Sequence, residues 1–204
     1  MATAKFSGTI RRTTIILALL ALGTTAAVAH PDIMISARLL FEFRDGQLAA
    51  IGESWAFDTA YSARLLRRFD RDGDRRLSGE EGKAAAASIA GDLKHLGYLT
   101  EWQIDDAIQP PLSAGAFDAQ VEAGTVILTF ALRPAQPIAI RPARTILFKI
   151  LDRDYTAAIR LAEDRPVLLR GDSHDRCKVT IADRPQDAYF GKLVVPQAVT
   201  LTCG

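Results

Sequence analysis

Residues 70–81 read Asp-Arg-Asp-Gly-Asp-Arg-Arg-Leu-Ser-Gly-Glu-Glu and lie between two segments of helical character. Few twelve-residue stretches constrain a chain so tightly. Calcium is a hard cation that takes six to eight oxygens, and an EF-hand loop supplies them from positions 1, 3, 5, 7, 9 and 12. Those positions fall on Asp70, Asp72, Asp74, the carbonyl of Arg76, Ser78 acting through a water, and a bidentate Glu81. Leu77, at position eight, is the apolar residue that holds the loop to a core. Phe69, with Leu65 and Leu66 one turn earlier, gives the entering helix its buried face.

Two departures from the template weaken the site. The turn at position six needs positive φ and normally a glycine, yet Arg75 stands there and Gly73 stands at position four. An L-residue in the left-handed region costs roughly 1 to 2 kcal/mol. Arg71, Arg75 and Arg76 also offset part of the carboxylate charge. The expected dissociation constant is therefore on the order of 0.1 to 1 mM, the range of extracellular modules. Gly82, where the template has a large apolar residue, is expected to loosen the start of the exiting helix.

The first 29 residues have the form of a secretory signal peptide. Lys5, Arg11 and Arg12 precede an apolar run over residues 15–22, and Ala27-Val28-Ala29 supplies a small-residue cleavage site. Cleavage there makes His30 the new N-terminus. The apolar run is shorter than the ~20 residues a membrane span needs, and no later stretch is long and apolar enough for one. The expectation is a periplasmic product with no membrane insertion. Beyond the leader, 22 basic residues face 24 acidic ones, a balance that gives no reason to expect a nucleic-acid partner. Cys177 and Cys203 are the chain's two cysteines, and in an exported protein a disulfide is the default reading, stapling the last strand. Two free thiols on a soft metal are the rival.

Residues 33–43 alternate apolar Ile33, Ile35, Ala37, Leu39, Phe41 and Phe43 with polar positions, as a strand does. A turn centred on Asp45-Gly46 returns the chain through residues 48–57, making a hairpin. Asp58 caps a helix running to Phe69, and residues 80–96 form the exiting helix with Ile89, Leu93 and Leu96 inward, ended by Gly97. The two-residue period then resumes over 98–104, 117–121, 125–132, 145–151, 156–162, 167–170, 178–181 and 199–203. The predicted class is α+β. An antiparallel β-sandwich-like domain spans residues 30–204, with an EF-hand-like helix-loop-helix inserted at 58–96.

Asp152, Asp154, Thr156, Ile159 and Glu163 also fit the loop template at positions 1, 3, 5, 8 and 12. Strand alternation from Thr156 to Leu161 and the lack of a turn glycine argue against a second calcium loop. Asp172-Ser173-His174-Asp175 has the residue types of a hydrolase, but neighbours in sequence cannot build a triad, so a polar loop is expected. His95 sits where it can interact with the terminal carbonyls of the second helix. No catalytic residue is assigned.

Ala29-His30-Pro31, Trp55-Ala56-Phe57-Asp58 with Tyr61-Ser62, the Asp-rich loop, Gly97-Tyr98-Leu99-Thr100, Asp152 with Tyr155, and Cys177 together resemble an exported bacterial family. It is the domain-of-unknown-function family numbered one thousand and seven, whose members carry the label periplasmic component of an uncharacterised ABC-type transport system. The resemblance implies an association with nickel, cobalt or zinc transport and hence inner-membrane transporter subunits as partners. Members begin His-Pro-His at the mature N-terminus, where this chain has His30-Pro31-Asp32. An N-terminal amine with the His30 imidazole and Asp32 offers a transition-metal site suited to nickel, zinc or copper.

The leading functional expectation is a periplasmic, non-catalytic accessory or binding component of a metal ABC-type transport system, its fold braced by calcium. Two alternatives stand beside it: an enzyme using a copper chelate at His30 for redox chemistry, and a purely structural envelope protein braced by calcium.

Overall fold

Alternating apolar residues at 35, 37, 39, 41 and 43 do build a strand, and it is the longest in the protein's described part. The computed structural model describes residues 30–172 and 174–204. The signal peptide expected at 1–29, and Ser173 of the polar run, lie outside the described residues.

Strands β1 (Ile33–Arg44) and β2 (Gln47–Phe57) form the first hairpin. Its turn residues Asp45 and Gly46 have φ of 54° and 70°, the positive values that two-residue hairpin turns need to match strand twist. Helices α1 (Thr59–Phe69) and α2 (Glu80–His95) follow, with the Asp-rich loop between them. After them come β3 (Thr100–Ile104), β4 (Ala107–Ile108), β5 (Ser113–Glu122), β6 (Thr125–Arg133), β7 (Ile138–Ala139) and β8 (Arg144–Ile150). The chain ends through β9 (Ala157–Leu161), β10 (Val167–Gly171), β11 (Cys177–Asp183) and β12 (Gln197–Cys203).

These strands make two sheets. One has the order β10-β1-β2-β6-β5, with β7 added on β2 and β9 on β1, and the other the order β11-β12-β8-β3-β4. The sheets meet through apolar side chains: Phe41 of β1 packs edge-on against Phe148 of β8 at 5.9 Å between ring centroids. Both rings are fully buried. The result is a mixed α/β architecture, rich in antiparallel pairs and compatible with a sandwich.

One feature departs from the expected antiparallel pairing. β1 pairs in parallel with β9 along its first half, Ile33 opposite Ala157, and with β10 along its second, Leu39 opposite Val167. Periodicity identifies a strand but carries no information on its partner or direction, and a parallel pair needs a long crossover that no local turn signal announces. Leu96, expected inward, is 53% exposed. The helix ends at His95, and Leu96 has left helical geometry at φ −97°, ψ 11°, so its side chain no longer follows the inward face.

Between β2 and β3, the two helices sit on the sheet by specific devices. Asp58 caps α1, its Oδ1 accepting from the Tyr61 amide at 2.9 Å while its Oδ2 accepts from Met34 of β1 at 2.7 Å. Ser62, fully buried, donates to the Phe57 carbonyl at 3.3 Å and accepts from the Val126 amide of β6 at 3.0 Å. On α2 the buried face is Glu81, Gly82, Ala85, Ala86, Ile89 and Leu93. Small residues there let the helix lie close over β5: a Cβ on Gly82 would stand 2.6 Å from the Ala119 carbonyl oxygen. Gly82 thus tightens the start of α2 against the sheet, where the sequence suggested loosening.

Candidate metal site

The loop from Asp70 to Glu81 is wrapped around its own acidic side chains. Asp70, the C-cap of α1, accepts from the amides of Gly73 at 2.7 Å and Arg75 at 3.0 Å. Asp72 accepts from the Asp74 amide at 3.1 Å, and Asp74 from the Arg76 amide at 2.7 Å. These bonds curl the backbone so that carboxylate oxygens of Asp70, Asp72 and Asp74 lie within 4.8 Å of one another. Like charges are thereby held together, an arrangement that a divalent cation would relieve.

Arg75 takes the positive φ expected at position six, 62°, and Gly73 takes 77°. Leu77 is buried and anchors the middle of the loop to the core. Glu81 is nearly buried and does not join the group of three aspartates. Its Oε1 accepts from the Arg71 amide at 2.7 Å and its Oε2 from the Ser78 amide at 3.4 Å, so that it ties the two ends of the loop together. The donors on the aspartates and Glu81 are all oxygen, which suits calcium or magnesium and not a soft metal. Arg76 contributes its amide to the Asp74 bond, and Ser78 is exposed.

The other sequence candidates are not gathered in this way. Among the described residues, neither His30 nor Asp32 belongs to a group of three potential ligands. The Asp32 carbonyl accepts from Arg64 at 3.0 Å. In the second stretch that fits the loop template, Asp152 accepts from the amides of Asp154 at 3.1 Å and Ala157 at 2.9 Å. Ala157 starts β9, and Ile159 lies within that strand. Asp172 accepts from the Asp45 amide at 2.6 Å, and His174 Nδ1 lies 2.7 Å from the Gly171 carbonyl. Those contacts hold the ends of the β1–β2 hairpin and β10. The disulfide between Cys177 and Cys203 is formed, joining directly opposed positions of β11 and β12.

The family described as Protein of unknown function (DUF1007) matches residues 15–192. This chain belongs to DUF1007. No curated protein matches it by sequence. The matched span of this DUF1007 protein contains the Asp-rich loop and Cys177, and stops short of Cys203.

Two buried titratable groups of the DUF1007 chain carried no clear sequence signal of their partners. Glu53 is buried on β2, where Trp55 Nε1 donates to it at 2.7 Å and the Thr100 hydroxyl at 3.5 Å. Burial pushes its carboxyl up to about 8, against the opposing pull of those two hydrogen bonds, so it is protonated at neutral pH. A signal of burial was present, since Glu53 shares the inward parity of Ile51 and Trp55. Lys149 of β8, 4% exposed, lies 2.9 Å from Asp187 and 3.2 Å from Glu101. Those carboxylates are joined in turn by Arg184 and Arg153. The hydrogen bond from Lys149 holds Asp187 below the usual carboxylate range. A lysine flanked by Phe148 and Ile150 in a strand gives no sequence cue to partners 38 and 48 residues away.

Proposed function

We propose that this protein is a calcium-braced, non-catalytic accessory or binding component of an exported metal-transport system, with the Asp70–Glu81 loop as the calcium site. The observation that carries the calcium assignment is the convergence of the Asp70, Asp72 and Asp74 carboxylates within 4.8 Å. It is supported by the left-handed backbone of Arg75 and by Leu77 seated in the core. The ion would be held by Asp70, Asp72, Asp74, the Arg76 carbonyl and Glu81, with Ser78 reached through a water. It would supply positive charge where the loop gathers negative charge, not reactivity.

A brace at this place has a mechanical reading. The loop joins α1, fixed to β6 through Ser62, to α2, seated on β5 through Gly82. Fixing the loop therefore fixes both helices on adjacent strands of one sheet. A solitary loop of this type lacks the partner with which sensor pairs open and close, so stabilisation is its natural effect.

The transport component of the proposal rests on the family resemblance and on the disulfide, which suits an oxidising compartment. Calorimetric titration with calcium tests the brace. The expected result is binding with a dissociation constant on the order of 0.1 to 1 mM, a raised melting temperature, and loss of both in Asp70→Asn/Asp72→Asn. No heat and no thermal shift at several millimolar calcium would remove the assignment. Recovery of permease subunits with the tagged protein from envelope extract tests the transport role.

A further inference from the structure

We propose that the arginine face of α1 docks on an anionic phospholipid membrane surface. The chain has 25 Lys and Arg against 24 Asp and Glu, yet Arg64, Arg67 and Arg68 fall together on α1, and Arg71, Arg75 and Arg76 follow in the loop, where Asp70, Asp72 and Asp74 are interleaved with them. All six are exposed. Arg64, Arg67, Arg68 and Arg71 follow the i, i+3, i+4, i+7 spacing that places side chains along one side of a helix, with Arg71 just beyond its end. The opposite side of α1 holds buried Ser62 and Leu65.

Nothing within α1 neutralises this face. The helix has no acidic residue over Thr59–Phe69, and among the described residues none of the six arginines has a carboxylate within ion-pair distance. Arg64 donates to the backbone carbonyl of Asp32, and it and Arg68 lie over the rings of Tyr61 and Phe69 at 4.9 and 5.0 Å. The aspartates of the loop turn onto backbone amides instead of guanidinium groups. Asp58 is committed to the cap of α1, and Asp92 lies on α2. A row of guanidinium groups on a helix that carries no acid is complementary to an array of phosphates, which Arg engages by paired hydrogen bonds.

Two features favour a lipid surface over an acidic protein. Tyr61 and Phe69 place aromatic rings beneath Arg64 and Arg68, combining apolar bodies and charged heads as side chains at a headgroup layer do. Met34, 61% exposed and bonded through its backbone to Asp58 at the start of α1, adds an apolar side chain next to that helix.

Vesicle co-sedimentation of the protein isolated from the cells that export it tests the proposal. The wild type is expected to bind vesicles of phosphatidylglycerol and phosphatidylcholine, to ignore pure phosphatidylcholine, and to be released as salt rises from 0.05 to 0.5 M. Arg64→Gln/Arg67→Gln/Arg68→Gln should weaken binding by about a hundredfold with its melting temperature unchanged. Equal binding to both vesicle types, binding insensitive to salt, or an undiminished variant would overturn it. So would capture by soluble polyglutamate without capture by vesicles. The salt titration of the wild type decides the matter if the triple variant does not fold.

Discussion

The α-carbon of Gly82 faces the Ala119 carbonyl so closely that a methyl group on it would stand 2.6 Å from that oxygen and 3.0 Å from the carbonyl oxygen of Leu77. Both obstacles are backbone, and neither can rotate away. Elsewhere in a helix, Gly→Ala gains up to about 1 kcal/mol; here α2 would have to lift from β5. Gly82→Ala should therefore destabilise the protein by about 1 to 3 kcal/mol, seen as a lowered urea midpoint with little change in slope. An unchanged or raised midpoint would show that α2 does not lie where it is described.

Glu53 sets a pH dependence. Its ordinary value is 4.5 and burial raises it to about 8 in the folded protein. Below pH 4.5 the carboxyl is protonated whether or not the chain is folded, and its contribution to stability is fully present. From there to pH 8 the unfolded chain ionises and the folded one does not, so stability declines as pH rises, at most by about 1.4 kcal/mol per unit. Glu53→Gln should flatten the melting temperature between pH 5 and 8 and raise it most at the upper end. Identical pH profiles for the two proteins would exclude the assigned ionisation.

Closing the 26-residue separation between Cys177 and Cys203 restricts the unfolded chain. Loop-closure entropy assigns this about 3.5 kcal/mol. Cys177→Ala/Cys203→Ala should lose stability of that order in chemical denaturation, and a reductant should lower the wild-type midpoint without affecting the double variant. Both cysteines are buried among core residues, so the alanine pair also carries a packing cost.

Ser62 is both donor and acceptor between α1 and the sheet. Ser62→Ala removes the oxygen that receives the Val126 amide, and should cost about 1 to 3 kcal/mol. If the helix pair is braced as proposed, the variant's calcium affinity should also fall. Amide exchange is the direct reading: protection at Val126 should drop more than at Leu132, at the far end of the same strand.

What was legible beforehand was local. Asp45-Gly46 announces its hairpin because few dipeptides tolerate φ of 54° and 70° in succession. Asp58 marks the start of α1, and the aspartates at 70, 72 and 74 mark the loop, because each acts on amides within five residues of itself. The parallel partners of β1 and the Lys149 network depend on residues far apart in the chain, and no local spacing encodes them. Glu53 lies between: its parity placed it inward, but whether a buried carboxyl is tolerated depends on Trp55 and on Thr100, 47 residues later.

The division of β1 between β9 and β10 has an outcome for assembly. When the chain is made from its N-terminus, the Ile33–Arg44 strand acquires β2 at once, but the backbone groups along its other side wait for residues 157–171, more than a hundred residues later. Until then the first hairpin presents an open, apolar edge of the kind that recruits foreign strands. Productive closure of such distant pairs is slow, so the newly made chain is most vulnerable to aggregation just before its final quarter arrives, and a truncation ending near Leu151 should be insoluble although it retains the Asp-rich loop intact.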